Sequence, residues 1–282
     1  MKIFDMHIHV GNENVDKEYL FDKMAEAGVY GGGIISAAPF ESAADIYKLE
    51  FNERLDNALK WQDGKRLFSF LWIHPDEVQI EEKIAVAAKA GISGFKIICD
   101  NDHVYSQKCL NALDAIEKAQ KPVLFHTGIL WSGTDTSRYN RPADWETLLN
   151  FKSIKFSMGH CSWPWHDECI AVYGKLLHHY NHHISSEMFF DITPGTPKIY
   201  RRDLLTKLFT VGYDVENNIM FGTDSLTNDY TPAWVAGWLS EDKKIMDDLG
   251  ISTEVREKIY EKNLMRFVQM RDTEHRTLQI NK

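Results

Sequence analysis

The chain has 282 residues, 44% hydrophobic and 26% charged, with 32 Lys+Arg against 41 Asp+Glu and a formal net charge of −9. That length fits one large domain or two small ones, and the composition supports a sizeable core, which excludes a disordered chain. An acidic chain without a basic run is a poor candidate for binding the phosphates of nucleic acid, and the longest uncharged stretches, Ala27–Phe40 and Pro122–Thr134, fall short of the ~18 apolar residues of a membrane span.

In chain order, the first apolar run is Lys2–His9. Its alternation puts Asp5, His7 and His9 on one face of a strand and Phe4, Met6 and Ile8 on the other. A helical spacing follows over Lys17–Ala27, then Gly31-Gly32-Gly33, read as a helix stop and turn ahead of a strand over Gly33–Ser36. Next come a helix over Ala44–Trp61, a strand over Leu67–Ile73, a helix over Glu81–Ala90 and a strand over Gly94–Cys99. The alternation continues with a helix over Gln107–Ala119, strands over Pro122–His126 and Ile154–His160, a helix over Asp167–Tyr180, and strands over Met188–Thr193 and Asn218–Asp224. Leu226–Gly250, with Tyr230, Trp234 and Trp238, reads as an active-site loop plus a short helix. Ser252 then caps a helix over Glu254–Arg271 that turns Ile259, Leu264 and Phe267 inward. Thr273–Lys282 is a polar tail, leaving 1–272 as one domain.

Eight strands alternating with helices predict a parallel sheet with helical crossovers. Units of about 35 residues match the ~250-residue size of a single-domain α/β (β/α)8 TIM barrel. The competing architecture is an open doubly wound sheet, but no G-x-G-x-x-G follows the first strand. Four cysteines without C-x-x-C spacing suggest neither a zinc knuckle nor a disulfide framework, and Asp5 and His7 interrupt any apolar signal core. The expectation is a reduced, cytoplasmic protein; its charge and aromatic loops are compatible with a homodimer.

The chemistry sits among the 12 histidines. Strand alternation points His7 and His9 to one side, where two imidazoles can hold one cation together. A chain this rich in histidine produces such a pair by chance, so position has to support it. In a barrel the working residues gather at the C-terminal ends of the strands. His126 ends its strand 119 residues after His7, His160 follows 34 residues later, and Asp224 another 64. These are whole multiples of one strand–helix unit.

Asp5-x-His7-x-His9, Phe125-His126-Thr127-Gly128, Gly159-His160 and Phe221-Gly222-Thr223-Asp224 resemble the metal-dependent amidohydrolase superfamily. Gly94-Phe95-Lys96, Arg141-Pro142 and Ile259…Asn263…Arg266 add to the match, which runs from Asp5 to Phe267. The branch it is most similar to is that of the amidohydrolase-related TIM-barrel enzymes, which include aminocarboxymuconate-semialdehyde decarboxylase and several lactone hydrolases. The resemblance implies one divalent cation, zinc by expectation, on His7, His9 and His126, with Asp224 as fourth ligand or neighbour of the bound water. It implies Asp224 as the proton carrier and His160 as the group that stabilises an oxyanion or orients the water. Lys96, 89 residues after His7, is the counterpart of a carboxylated lysine that bridges two metals in binuclear members. It lies three residues before the end of its predicted strand, deeper than a bridge should be, which favours one metal over two.

Arg138, Arg141, Trp163 and Trp165 are the candidate substrate contacts, because they lie in loops at the same rim and arginine suits a carboxylate. His178-His179-x-x-His182-His183 lacks the glutamate of a zinc-protease helix and reads as a solvated cluster. Two enzymatic readings remain: hydrolysis of a small amide- or lactone-type carbonyl compound, and decarboxylation or hydration of a small unsaturated carboxylic acid on the same site. A non-catalytic binding protein with this fold is the third, and the complete His7/His9/His126/Asp224 set argues against it.

Overall fold

The computed structural model describes residues 1–180, 186–195 and 197–269. Its strands are β1 (Phe4–His9), β2 (Gly31–Ile35), β3 (Leu67–Ile73), β4 (Gly94–Ile97), β5 (Val123–Phe125), β6 (Lys155–Met158), β7 (Glu187–Asp191), β8 (Ile219–Met220) and β9 (Ser225–Leu226). All neighbouring pairs are parallel and run in chain order from β1 to β8, with β9 on the free edge of β1. β8 and β9 are two pieces of one strand, interrupted at Asp224, whose φ of 59° takes it out of the extended region. Hydrogen bonds from Met6 N to the Phe221 carbonyl (2.9 Å) and from Asp224 N to the His7 carbonyl (2.9 Å) join that strand to β1. The sheet thereby closes into an eight-stranded TIM barrel.

The crossovers are α1 (Lys17–Glu26), α2 (Phe51–Trp61), α3 (Ile80–Ala90), α4 (Gln107–Lys118), α5 (His166–Tyr180), α6 (Arg201–Thr210) and α7 (Pro232–Asp248). They start where the sequence offers caps: Asp16 accepts the Tyr19 amide and Ser106 the Cys109 amide. After α7, the C-terminal helix is not continuous. Ser252 caps α8 (Thr253–Glu257), a π-helical turn spans Lys258–Lys262, and α9 (Asn263–Val268) follows. Ile259, Leu264 and Phe267 are all buried. Phe267 closes the N-terminal mouth of the barrel, with its ring 4.9 Å from Phe189 and 6.1 Å from Phe70.

Three sequence expectations are corrected by packing. Gly31–Gly33 is strand, not turn: a Cβ on Gly32 would land on the Asp5 carbonyl, so β2 approaches β1 closely only because these positions carry no side chain. Leu226–Gly250 holds a 17-residue helix, α7, started by Pro232 and anchored by Val235, Trp238 and Ile245. The pairing of β1 with β2 also shifts register between Asp5 and Ile8. Phe4 and Met6 therefore join the interior cluster with Phe70, Leu124 and Phe189, while Ile8 packs outward with Leu20 and Met24 of α1. Asp5 parts from His7 and His9 at this shift. The predicted tail Thr273–Lys282 lies outside the described residues.

Candidate active site

At the C-terminal ends of the strands a cavity of about 260 Å³ is lined by His7, His9, Lys96, His126, His160 and Asp224. Four strands and the break in the eighth bring these side chains together. Ile46, Trp72, Ile98, Leu130, Trp131 and Trp163 form its apolar wall.

His7 is fully buried, and its Nδ1 lies 2.6 Å from Asp191 Oδ2. A carboxylate accepts, so Nδ1 carries the proton and the Nε2 lone pair faces the cavity. His9 Nε2 lies 3.2 Å from His7 Nε2, and Asp224 Oδ1 lies 3.4 Å from His9 Nε2 and 3.6 Å from His7 Nε2. Among the described residues this is the group of three donors placed to share an ion. Donors held by a tetrahedral zinc at ~2.0–2.1 Å stand about 3.3 Å apart, so the three separations fit one cation. Burial, and then the Lys96 charge, hold His7 down to about 4, and burial lowers His9. Both imidazoles are therefore neutral at physiological pH. Burial alone would raise the Asp224 carboxyl; the His9 hydrogen bond and the neighbouring His7 and His160 imidazoles overcome it and hold Asp224 well below the usual range, ionised.

His126 stands in the same cavity, its ring 5.0 Å from His160, but its Nε2 lies 3.2 Å from the Ile129 carbonyl. That carbonyl only accepts, so Nε2 donates to it, and the structure leaves His126 outside the three-donor group. Burial lowers its pKa well below the ordinary value. His160 Nδ1 faces the Thr193 carbonyl at 3.3 Å and must be the donor there, leaving Nε2 as the free nitrogen. His160, Cys161 and Ser162 all have positive φ, a strained turn at the end of β6. Gly195 makes room for it, since a Cβ there would press into the His160 ring.

Lys96 does not lie too deep to act. β4 ends one residue later, at Ile97, and Lys96 lines the cavity with 1% exposure. It makes no hydrogen bond or ion pair among the described residues. Burial lowers its pKa to about 8 against the opposing pull of Asp191 and Asp224, so at neutral pH it is mostly ammonium.

The loop residues divide differently. Trp163 lines the cavity, whereas Arg138, Arg141 and Trp165 do not. Arg138 pairs with Asp135 at 3.2 Å and donates to Tyr139, and Arg141 pairs with Glu168 at 2.5 Å and lies over the Trp165 ring. The Arg138 charge is thus spent within its own loop and that of Arg141 on the first turn of α5. His178 and His179 are exposed at the end of α5; His182 and His183 lie outside the described residues.

Sequence reasoning passed over Asp191. The signal existed: it stands 31 residues after His160 and 33 before Asp224, in the same register that singled out the others. Burial opposes its ionisation, but the neighbouring His7 imidazole and its hydrogen bond hold the Asp191 pKa below the ordinary value. Asp5, behind the site, accepts from the Thr223 amide (3.0 Å) and Tyr230 (3.1 Å) and so braces the chain leading into Asp224.

The amidohydrolase family model matches residues 4–269, nearly the whole chain. The chain belongs to the amidohydrolase family. No curated protein matches this amidohydrolase in sequence. Its fold is similar to that of 5-carboxyvanillate decarboxylase LigW from Sphingomonas paucimobilis, at 11% identity and a TM-score of 0.63 over 96% of this chain and 99% of the other. It is similar to a probable 2-pyrone-4,6-dicarboxylic acid hydrolase from Acinetobacter baumannii (11% identity, TM-score 0.60, 95% and 99%) and to a dihydroorotase from Campylobacter jejuni (14%, 0.59, 97% and 85%). Hydrolases and a decarboxylase thus share the architecture. Among the described residues of this amidohydrolase, no helix is long and apolar enough to cross a membrane.

Proposed function

We propose that this amidohydrolase is a metal-dependent hydrolase of a small carbonyl compound of the amide or lactone type. The convergence of His7 Nε2, His9 Nε2 and Asp224 Oδ1 at the cavity floor carries this reading. These three residues would hold one divalent cation, zinc by its liking for two imidazoles and a carboxylate, with His126 as a further ligand once its Nε2 leaves the Ile129 carbonyl. A cation bound there supplies Lewis acidity toward the carbonyl oxygen and brings the pKa of water toward neutrality.

The chain's own groups do the rest. Asp191 fixes the His7 proton on Nδ1. Asp224 turns Oδ1 to the two imidazoles and leaves Oδ2 free to take a proton from water and return it to the leaving group. His160 is held by Thr193 through Nδ1, which suits an imidazole whose Nε2 orients the attacking water. Trp72, Trp131 and Trp163 shield the reacting carbonyl from bulk solvent.

Lys96 favours a second reading. A buried ammonium without a partner is costly unless a ligand brings the counter-charge. A substrate carboxylate would supply it, and a carboxylate placed beside a metal site is open to decarboxylation or hydration of an unsaturated acid as well as to hydrolysis elsewhere in the molecule. The neighbours named above for a dicarboxylic acid and for 5-carboxyvanillate point the same way. Zinc-loaded and chelated protein are to be assayed on lactones and amides with and without a carboxylate, and for carbon dioxide release from unsaturated and aromatic acids. Zinc-dependent ring opening or amide cleavage supports the hydrolase, and zinc-dependent carbon dioxide release alone supports the second reading. Turnover that survives complete metal removal would sink both. Lys96→Met raises KM for carboxylate substrates and leaves neutral ones unaffected if Lys96 holds the acid.

A further inference from the structure

The cavity wall includes a segment that no strand or helix holds. Asp45 and Ile46 line the cavity, and Ala44 and Ile46 pack in the interior cluster with Ile98 and Leu130. This stretch lies between β2 and α2 and is stemmed by a single bridge between Ala38 and Lys48. Its tip is held by one carboxylate from another loop. Asp100 Oδ2 accepts the Ala43 amide at 2.6 Å and the Ser42 hydroxyl at 3.0 Å. Lys48 Nζ adds a bond to the Ser42 carbonyl from within the same loop.

Asp100 is itself held. His74, fully buried at the end of β3, places Nε2 2.8 Å from Asp100 Oδ1. His74 Nδ1 accepts the Asp76 amide at 3.1 Å, so the imidazole is neutral with its proton on Nε2, committed to Asp100. Three loops, after β2, β3 and β4, thus meet at one buried carboxylate.

We propose that Asp100, aimed by His74, is a positioning residue that clamps the Ser42–Ile46 segment as a wall of the metal-site cavity and thereby controls access to it. The clamp stands on these contacts alone; its meaning for access rests on the proposed active site.

The test is hydrogen–deuterium exchange on the full-length, zinc-treated chain, together with the rate at which EDTA strips zinc from it. Asp100→Ala removes three charge-assisted bonds. The expected result is a local rise in exchange over residues 39–47 of roughly tenfold or more, with β3 and β5 unchanged. Zinc stoichiometry stays at the wild-type value, and EDTA removes the ion faster by a comparable factor. Asp100→Asn, whose Oδ1 still takes the Ala43 amide, and His74→Gln give intermediate values. Unaltered exchange over residues 39–47 overturns the clamp, as does a rise spread across the whole barrel, which marks a merely structural role. Local loosening with unaltered zinc release overturns control of access. A wild-type chain that takes up no zinc refutes the active-site reading and with it control of access, while the exchange data still decide the clamp.

Discussion

Asp191→Asn separates the tautomer of His7 from its mere presence. In the native chain Asp191 Oδ2 accepts from His7 Nδ1 at 2.6 Å and Oδ1 accepts the Thr193 amide at 2.8 Å. Asparagine has the same shape but only one acceptor. Keeping the Thr193 bond directs its NH2 group at His7, which must then accept on Nδ1 and carry its proton on Nε2, the nitrogen proposed to face the cation. Binding zinc requires either breaking that bond or burying two donors face to face. Loss of a group that orients a ligating histidine costs ~10- to 100-fold in metal affinity, equivalent to about 1.4–2.7 kcal/mol. Competition against a chromophoric chelator at pH 7.5 measures the affinity, and urea denaturation of the metal-free protein checks that the fold survives. Asp191→Ala should instead destabilise the metal-free fold by roughly 1–3 kcal/mol for each donor left unpaired. An Asp191→Asn protein that binds zinc as tightly as the wild type would refute the argument.

Two further predictions concern stability. Arg201 and Asp242 form a bidentate pair at 2.6 Å for both bonds, each at most 1% exposed, and Arg201 also reaches the Ile192 carbonyl beside the end of β7. Asp242→Ala should cost about 3–5 kcal/mol in urea unfolding, and Arg201→Met/Asp242→Leu should recover much of it; a single-variant loss below ~1 kcal/mol contradicts this. His166, at the first turn of α5 with an Nε2 unpartnered among the described residues, is lowered from 6.5 to about 4 by burial and then by the Lys207 charge. Between those values the unfolded chain binds more protons, so stability present above pH 6.5 is lost as pH falls toward 4, by at most about 3 kcal/mol. His166→Asn should flatten that slope, and equal slopes for the two proteins would remove the assignment.

Much of this site was legible because barrel geometry converts sequence spacing into spatial position. β3 runs over Leu67–Ile73 as its apolar run predicts, and His7, His9, Lys96, His126, His160 and Asp224 line one cavity. What resisted reading depended largely on contacts that the local sequence does not announce. Arg141 pairs with Glu168, 27 residues on in α5, whereas Arg138 pairs with Asp135 in its own loop, and neither arginine lines the cavity. Gly31–Gly33 looked like a turn because glycine serves turns and close backbone approach equally. The register shift in β1 separates Asp5 from the two histidines although strict alternation would group them.

The central claim is that His7, His9 and Asp224 hold a single divalent cation. The most direct measurement is zinc content per chain by mass spectrometry after zinc loading and removal of excess, for the wild type and His9→Ala. One zinc per wild-type chain, lost in His9→Ala, is the predicted result. No uptake by the wild type, or full retention by His9→Ala, would contradict the account.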